Sequence, residues 1–165
     1  MKLFSVFREG KIKPAWQFQT TGNLWRILFS DSGRIVGEDR DQGTKTVTFF
    51  CLNETSGAVL WRGLKLDEQW WIGVETIYDG IVFLHGFVKP DLPQHQKIIA
   101  LDIETGRPLW RNDSLRFLSI VDGKLFASED LFEKRLYFEL NPTTGEMERE
   151  YSEDNEPLHL NRRVD

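Results

Sequence analysis

The sequence predicts an all-β fold assembled from a repeated four-stranded unit, and three observations lead there. An eleven-residue phrase occurs twice, at residues 51–61 and 100–110, and a third, worn copy runs from Glu139 to Gly145. Between turn signals, the chain is filled by strand-length runs of β-branched and aromatic residues. No segment sustains the i, i+3, i+4, i+7 apolar stripe of a long helix.

Taken in order, Ile27-Leu28-Phe29, Thr46-Val47-Thr48-Phe49-Phe50, Ile81-Val82-Phe83-Leu84 and Leu136-Tyr137-Phe138 are strand runs. Asp31-Ser32-Gly33, Asp79-Gly80 and Asp122-Gly123 separate them, and the two Asp-Gly pairs suit tight hairpins that need positive φ. From hairpin glycine to phrase glycine the distances are 24 residues (33 to 57), 26 (80 to 106) and 22 (123 to 145). Each unit therefore reads strand, turn, strand, variable loop, strand, Thr/Ser-Gly turn, strand. Four antiparallel strands in roughly forty residues describe a β-propeller blade. The expected organisation is one domain over residues 1–165, with blades near 24–62, 63–113 and 114–151 and end fragments at 1–23 and 152–165. The middle blade is the longest because its loop at 87–96 carries Pro90 and Pro93, which exclude ladder pairing there.

The ends resemble pieces of a further blade. Residues 4–18 offer Gly10 as a turn and Trp16 as a displaced outer-strand tryptophan, six residues after the glycine instead of four. Glu156-Pro157-Leu158-His159-Leu160 could begin another unit. Two outcomes are open: a four-bladed ring closed by a composite blade, or part of a larger propeller. An unclosed edge would invite pairing with a second chain, so a homodimer through an open blade edge is one expectation.

Composition narrows the function classes. With 21 basic and 26 acidic residues the net charge is −5, which argues against a nucleic-acid or anionic-membrane partner. The single cysteine, Cys51, cannot form an internal disulfide or a multi-thiolate metal site, and it stands where the second copy has Ala100. At the start of the sequence, at most five partly apolar residues precede Arg8 and Glu9, too few for the apolar region of a secretory signal. A cytoplasmic protein is the expectation.

The phrase Ala100-Leu101-Asp102-Ile103-Glu104-Thr105-Gly106-Arg107-Pro108-Leu109-Trp110 resembles the tryptophan-docking repeat of the quinoprotein-like (pyrroloquinoline-quinone-type) β-propellers, Ala-x-Asp-x-x-Thr-Gly-x-x-x-Trp. The first copy keeps Gly57 and Trp61 and replaces the other motif residues by Cys51, Asn53 and Ser56; the third keeps Asn141, Thr144 and Gly145 and has Arg149 in place of the tryptophan. The order of the chain is also similar to a bacterial family of such propellers, for which the resemblance implies no activity. What the motif implies is scaffold. The Asp or Asn and the Thr or Ser bond the turn, and glycine accepts positive φ. The tryptophan then packs between blades. Dehydrogenases of the superfamily use about eight blades, a calcium or lanthanide site and often a vicinal cysteine pair, so this chain, with one cysteine, is a poor match to them. No cofactor is expected.

Candidate contact residues are few. Trp70 and Trp71 lie in the connection between the first two blades, outside the docking phrase, either as exposed anchors for a partner or sugar or as cover for the next blade. His85 occupies the register position of Glu38 and Ser128 and could point into a channel or between blades; His95 lies in the long loop near Asp91. A metal would need His85, His95 and Asp91 to converge, and no ligand spacing supports it. The carboxylate pairs Glu38-Asp39 and Glu129-Asp130 recur at matching places, as solvated turns more simply than as catalytic dyads. The expected function is a non-catalytic binding or scaffold propeller, with a sugar-binding or hydrolytic propeller using loop carboxylates and Trp70/Trp71 as the alternative.

Overall fold

The structure, a computed structural model, describes residues 13–89 and 92–152. Within these residues, twelve strands form three antiparallel four-stranded sheets, each ordered as in sequence. The first contains β1 (Asn23–Phe29), β2 (Arg34–Asp41), β3 (Thr46–Asn53) and β4 (Val59–Leu64); the second, β5 (Ile72–Tyr78), β6 (Ile81–Phe87), β7 (His95–Asp102) and β8 (Pro108–Asn112). The third contains β9 (Arg116–Val121), β10 (Lys124–Asp130), β11 (Arg135–Leu140) and β12 (Met147–Tyr151). No helix occurs among the described residues. The expected composite blade of residues 4–18 and 156–160 falls largely outside the described residues.

The hairpins follow the turn chemistry. Asp79 and Gly80 have φ of 45° and 75°, and Asp122 and Gly123 have 50° and 77°, so both central residues are left-handed as a two-residue hairpin requires.

The core lies between sheets. Val36, Val47, Phe49 and Cys51 of the first blade meet Ile72, Val74, Leu84 and Leu101 of the second. Phe83, Ile98 and Ala100 of the second meet Leu115, Leu125, Ala127 and Phe138 of the third. The inner strands β6 and β7 thus bury side chains on both faces, one for each neighbouring blade, which is why these runs are continuously apolar instead of alternating.

The repeated phrase is a dock between consecutive blades. The Trp61 indole donates from Nε1 to the carbonyl of Ile103 at 2.8 Å, and Trp110 donates to that of Pro142 at 2.8 Å. Each acceptor lies three residues before a phrase glycine, and the indole lies flat against that glycine. A Cβ on Gly106 would stand 3.0 Å from Trp61 Cδ2, and one on Gly145 2.5 Å from Trp110 Cδ2. Trp16 completes the series: it donates to the carbonyl of Glu54 at 2.9 Å, and a Cβ on Gly57 would stand 2.5 Å from its ring. The turns are built alike, with Asn53, Asp102 and Asn141 accepting through their side chains from the backbone N–H of Ser56, Thr105 and Thr144.

Cys51 is fully buried opposite Trp61. Burial, with Glu104 adding and Arg34 opposing, pushes its thiol up to about 11. We expect a thiol-specific disulfide reagent at mildly alkaline pH to label Cys51 only at the rate of global unfolding, because the reactive species is the thiolate. Labelling within the mixing time under native conditions would contradict this packing.

Candidate functional site

Buried polar groups gather where strands two and three of the blades begin to leave the core. Glu38, His85 and Ser128 share a register position, and they are 1%, 2% and 1% exposed. This places His85 in the protein interior, not in an open channel. Glu38 accepts from the backbone N–H of Val74 in the next blade at 2.6 Å and from Arg40 Nε and Nη2 at 3.1 and 3.0 Å. Arg40 also donates to the carbonyls of Trp70 and Ile72, and its guanidinium lies 5.6 Å from the Trp25 ring centroid and 5.4 Å from that of Trp70. Gly73 passes between Glu38 and His85; a Cβ there would stand 3.1 Å from Glu38 Oε1 and 3.2 Å from His85 Nε2. No other residue fits without moving one of them.

In the middle blade, two irregularities bring three donor groups together. The β5–β6 ladder shifts register between Val74 and Thr76, which sets Glu75 as the extra residue; the β6–β7 ladder shifts between Leu84 and Gly86, near Lys97 at φ 70°. Bulges of this kind re-aim side chains. His85 Nδ1 lies 2.7 Å and His95 Nδ1 2.9 Å from the same Glu75 Oε2. The two imidazoles are stacked, with centroids 3.5 Å apart and planes at 7°. His95 bonds the carboxylate, whereas the buried His85 Nδ1, though 2.7 Å from the same oxygen, makes no hydrogen bond. Burial pushes the Glu75 carboxyl up, but the two imidazoles together outweigh it and hold the group below the usual carboxylate range. Burial and the adjacent His85 keep His95 below the usual histidine range, with Glu75 countering only in part. The cluster therefore favours a charged carboxylate beside a neutral His95.

The convergence that the sequence leaves unsupported does occur for His85 and His95, with Glu75 as the third group. Asp91 lies outside the described residues. Glu75 leaves one faint signal, a lone carboxylate inside the apolar run from Ile72 to Tyr78.

Trp70 and Trp71 divide between the two roles open to them. Trp70 packs on the core between the first two blades and carries Arg40 and Lys45 over its ring. Trp71 is 36% exposed, sits edge-on to Phe87, and borders an open cleft of about 310 Å³ shared with Glu68, Gln96, Lys97, Arg111 and Asp113. Backbone N–H groups, that of Trp71 foremost, hold the Glu68 carboxyl below its ordinary range, and Arg111 does the same for Asp113. The carboxylate pairs expected in solvated turns lie on strands instead: Glu38 and Asp39 are buried within β2, and Glu129 and Asp130 close β10. Asp39 accepts from the backbone N–H groups of Thr21 and Gly22 and the Thr21 hydroxyl, and Asp130 pairs with Arg135.

Three four-stranded blades linked by tryptophan docks have the quinoprotein-like β-propeller fold. The model of a family described as Domain of unknown function (DUF4905) matches residues 29–110, which span most of the first two blades. Among solved structures the chain is similar to BamB from Moraxella catarrhalis, with a TM-score of 0.56 and 16% identity over 84% of this chain. This chain spans only 39% of that protein. A quinohemoprotein alcohol dehydrogenase from Pseudomonas putida HK5 also matches, with 14% identity over 73% of this chain and 19% of its own, at a TM-score of 0.42. The likeness to BamB establishes the fold alone. The comparison with curated proteins returns no match.

Proposed function

We propose that this chain is a non-catalytic β-propeller module that binds through the back of its first blade, and that the first occupant of that surface is a second copy of the chain. One observation carries the reading. Among the described residues β1 is a sheet edge, and its Leu24, Trp25, Ile27 and Phe29 are exposed, Trp25 at 62% and Phe29 at 59%. The matching face of each later blade is covered by the blade before it. On the first blade, among the described residues, Trp16 and Phe18 cover the outer part, over Ile35, Phe50 and Leu52. Exposed apolar side chains along a sheet edge are a feature that promotes association. Glu68, Asp113 and Asp130 are held below their ordinary range by their donors, which suits none of them to the role of general acid.

Sedimentation equilibrium of the full chain tests this. The wild type should show a concentration-dependent dimer, and a Trp25→Ser/Phe29→Ser variant should be monomeric over the same range. A wild type that remains a strict monomer at the highest concentrations would refute self-association through this face.

The cleft beside Trp71 favours a second reading, sugar binding without hydrolysis. A part-exposed indole above a rim of Glu68, Gln96, Lys97, Arg111 and Asp113 offers a stacking plane with polar partners.

A further inference from the structure

We propose that Glu75, His85 and His95 bind a single divalent transition-metal ion of the zinc class. The donors are of the right chemistry: two imidazole nitrogens and one carboxylate oxygen are a known ligand set for zinc, with bonds of about 2.0–2.2 Å. They already converge, since one ring nitrogen of each histidine and a carboxylate oxygen of Glu75 all lie within 4.8 Å of one another. Donors around a tetrahedral ion stand about 3.3 Å apart. The two nitrogens now lie 2.7 and 2.9 Å from Glu75 Oε2, a few tenths of an ångström short of that spacing.

The second observation is the orphaned nitrogen. His85 is 2% exposed and its Nδ1 is directed at the cluster without a hydrogen bond. Buried polar atoms without partners are rare in folded proteins, and each calls for a cause. A metal ion supplies one, because it takes the Nδ1 lone pairs of both histidines and an oxygen of the carboxylate between them.

Coordination also fixes what must move. A bound ion lies near the plane of each imidazole that holds it, so the parallel rings have to turn out of their stack. The His95 side chain is 32% exposed and borders a cleft of about 120 Å³, shared with Gln96, Ser114, Arg116, Ser128, Glu129 and Asp130. That ring has room to turn, and the cleft gives the ion its way in. Three protein ligands leave the fourth tetrahedral position to water from the same side. The cations closest to the site are themselves engaged. Arg26 donates to the carbonyl of Val74, Arg40 is paired with Glu38, and Arg116 faces Asp130 at 3.7 Å.

The test uses the full chain without an affinity tag, stripped with chelator and titrated calorimetrically with zinc chloride near neutral pH. One zinc per chain should bind with a Kd of about 1 µM or tighter. His95→Ala and Glu75→Gln should each weaken it by more than about 100-fold, beyond what loss of a supporting contact costs. His159→Ala, which removes the remaining histidine of the sequence, should leave it unchanged. In histidine nitrogen spectra of the wild type, zinc should shift Nδ1 of His85 and His95, a readout independent of whether any variant folds. No binding up to about 1 mM zinc, unchanged affinity in folded His95→Ala, or loss of binding in His159→Ala would each overturn the site.

Discussion

Replacing Trp110 by alanine is expected to destabilise the chain by about 3 kcal/mol in urea denaturation, as for other large aromatic truncations. The ring forms part of the core between the second and third blades and sits edge-on to Phe83 at 5.9 Å. Its Nε1–H also holds the carbonyl of Pro142 across the blade boundary. Trp110→Phe should keep most of the packing and lose the hydrogen bond, at about 1 kcal/mol. Gly145→Ala tests the other half of the dock. Its φ is 72°, and the new Cβ would stand 2.5 Å from the indole, so it should be destabilising with Trp110 present and clearly less so in Trp110→Ala. Additive losses in that double-mutant cycle would mean that ring and glycine do not act as one contact.

The dock also measures how much of the fold could be read from the residues. The phrase marks an Asx-bonded turn and an outer-strand tryptophan, both local in sequence, and periodic spacing carries the blades with it. Trp16 is harder to recognise, because it works through the same carbonyl and glycine contact but without a strand around it. Trp16, Trp61 and Trp110 serve the turns at Gly57, Gly106 and Gly145, so each of the three described turns has its donor. The third copy keeps its turn because Trp110 docks on it, while Arg149 lies over the Tyr151 ring.

The candidate site was only half legible. His85 and His95 stand out by residue type. Their meeting depends on two ladder shifts that period-two alternation does not encode, and Glu75 enters through one of them. Trp70 and Trp71 are adjacent and chemically identical, and what separates them is tertiary: the Arg40 guanidinium lies over one ring and solvent over part of the other.

Glu38→Ala is the second large effect, expected at about 3–5 kcal/mol, because it removes one partner of a buried ion pair and leaves the other charge uncompensated. Arg40 would keep its bonds to the carbonyls of Trp70 and Ile72 and its place between the Trp25 and Trp70 rings. It could not follow a lost carboxylate into water without breaking those contacts. The backbone N–H of Val74 would lose its acceptor as well, at the strand that leads directly to Glu75. Burying both charges is costly even when they are paired, so an apolar pair of similar volume should recover much of the loss. The double variant Glu38→Leu/Arg40→Met should therefore be clearly more stable than Glu38→Ala, with an unchanged slope of free energy against urea. The single variant falling within about 1 kcal/mol of wild type would show that water reaches Arg40, and that the pair is not the clamp between the first two blades that its burial indicates.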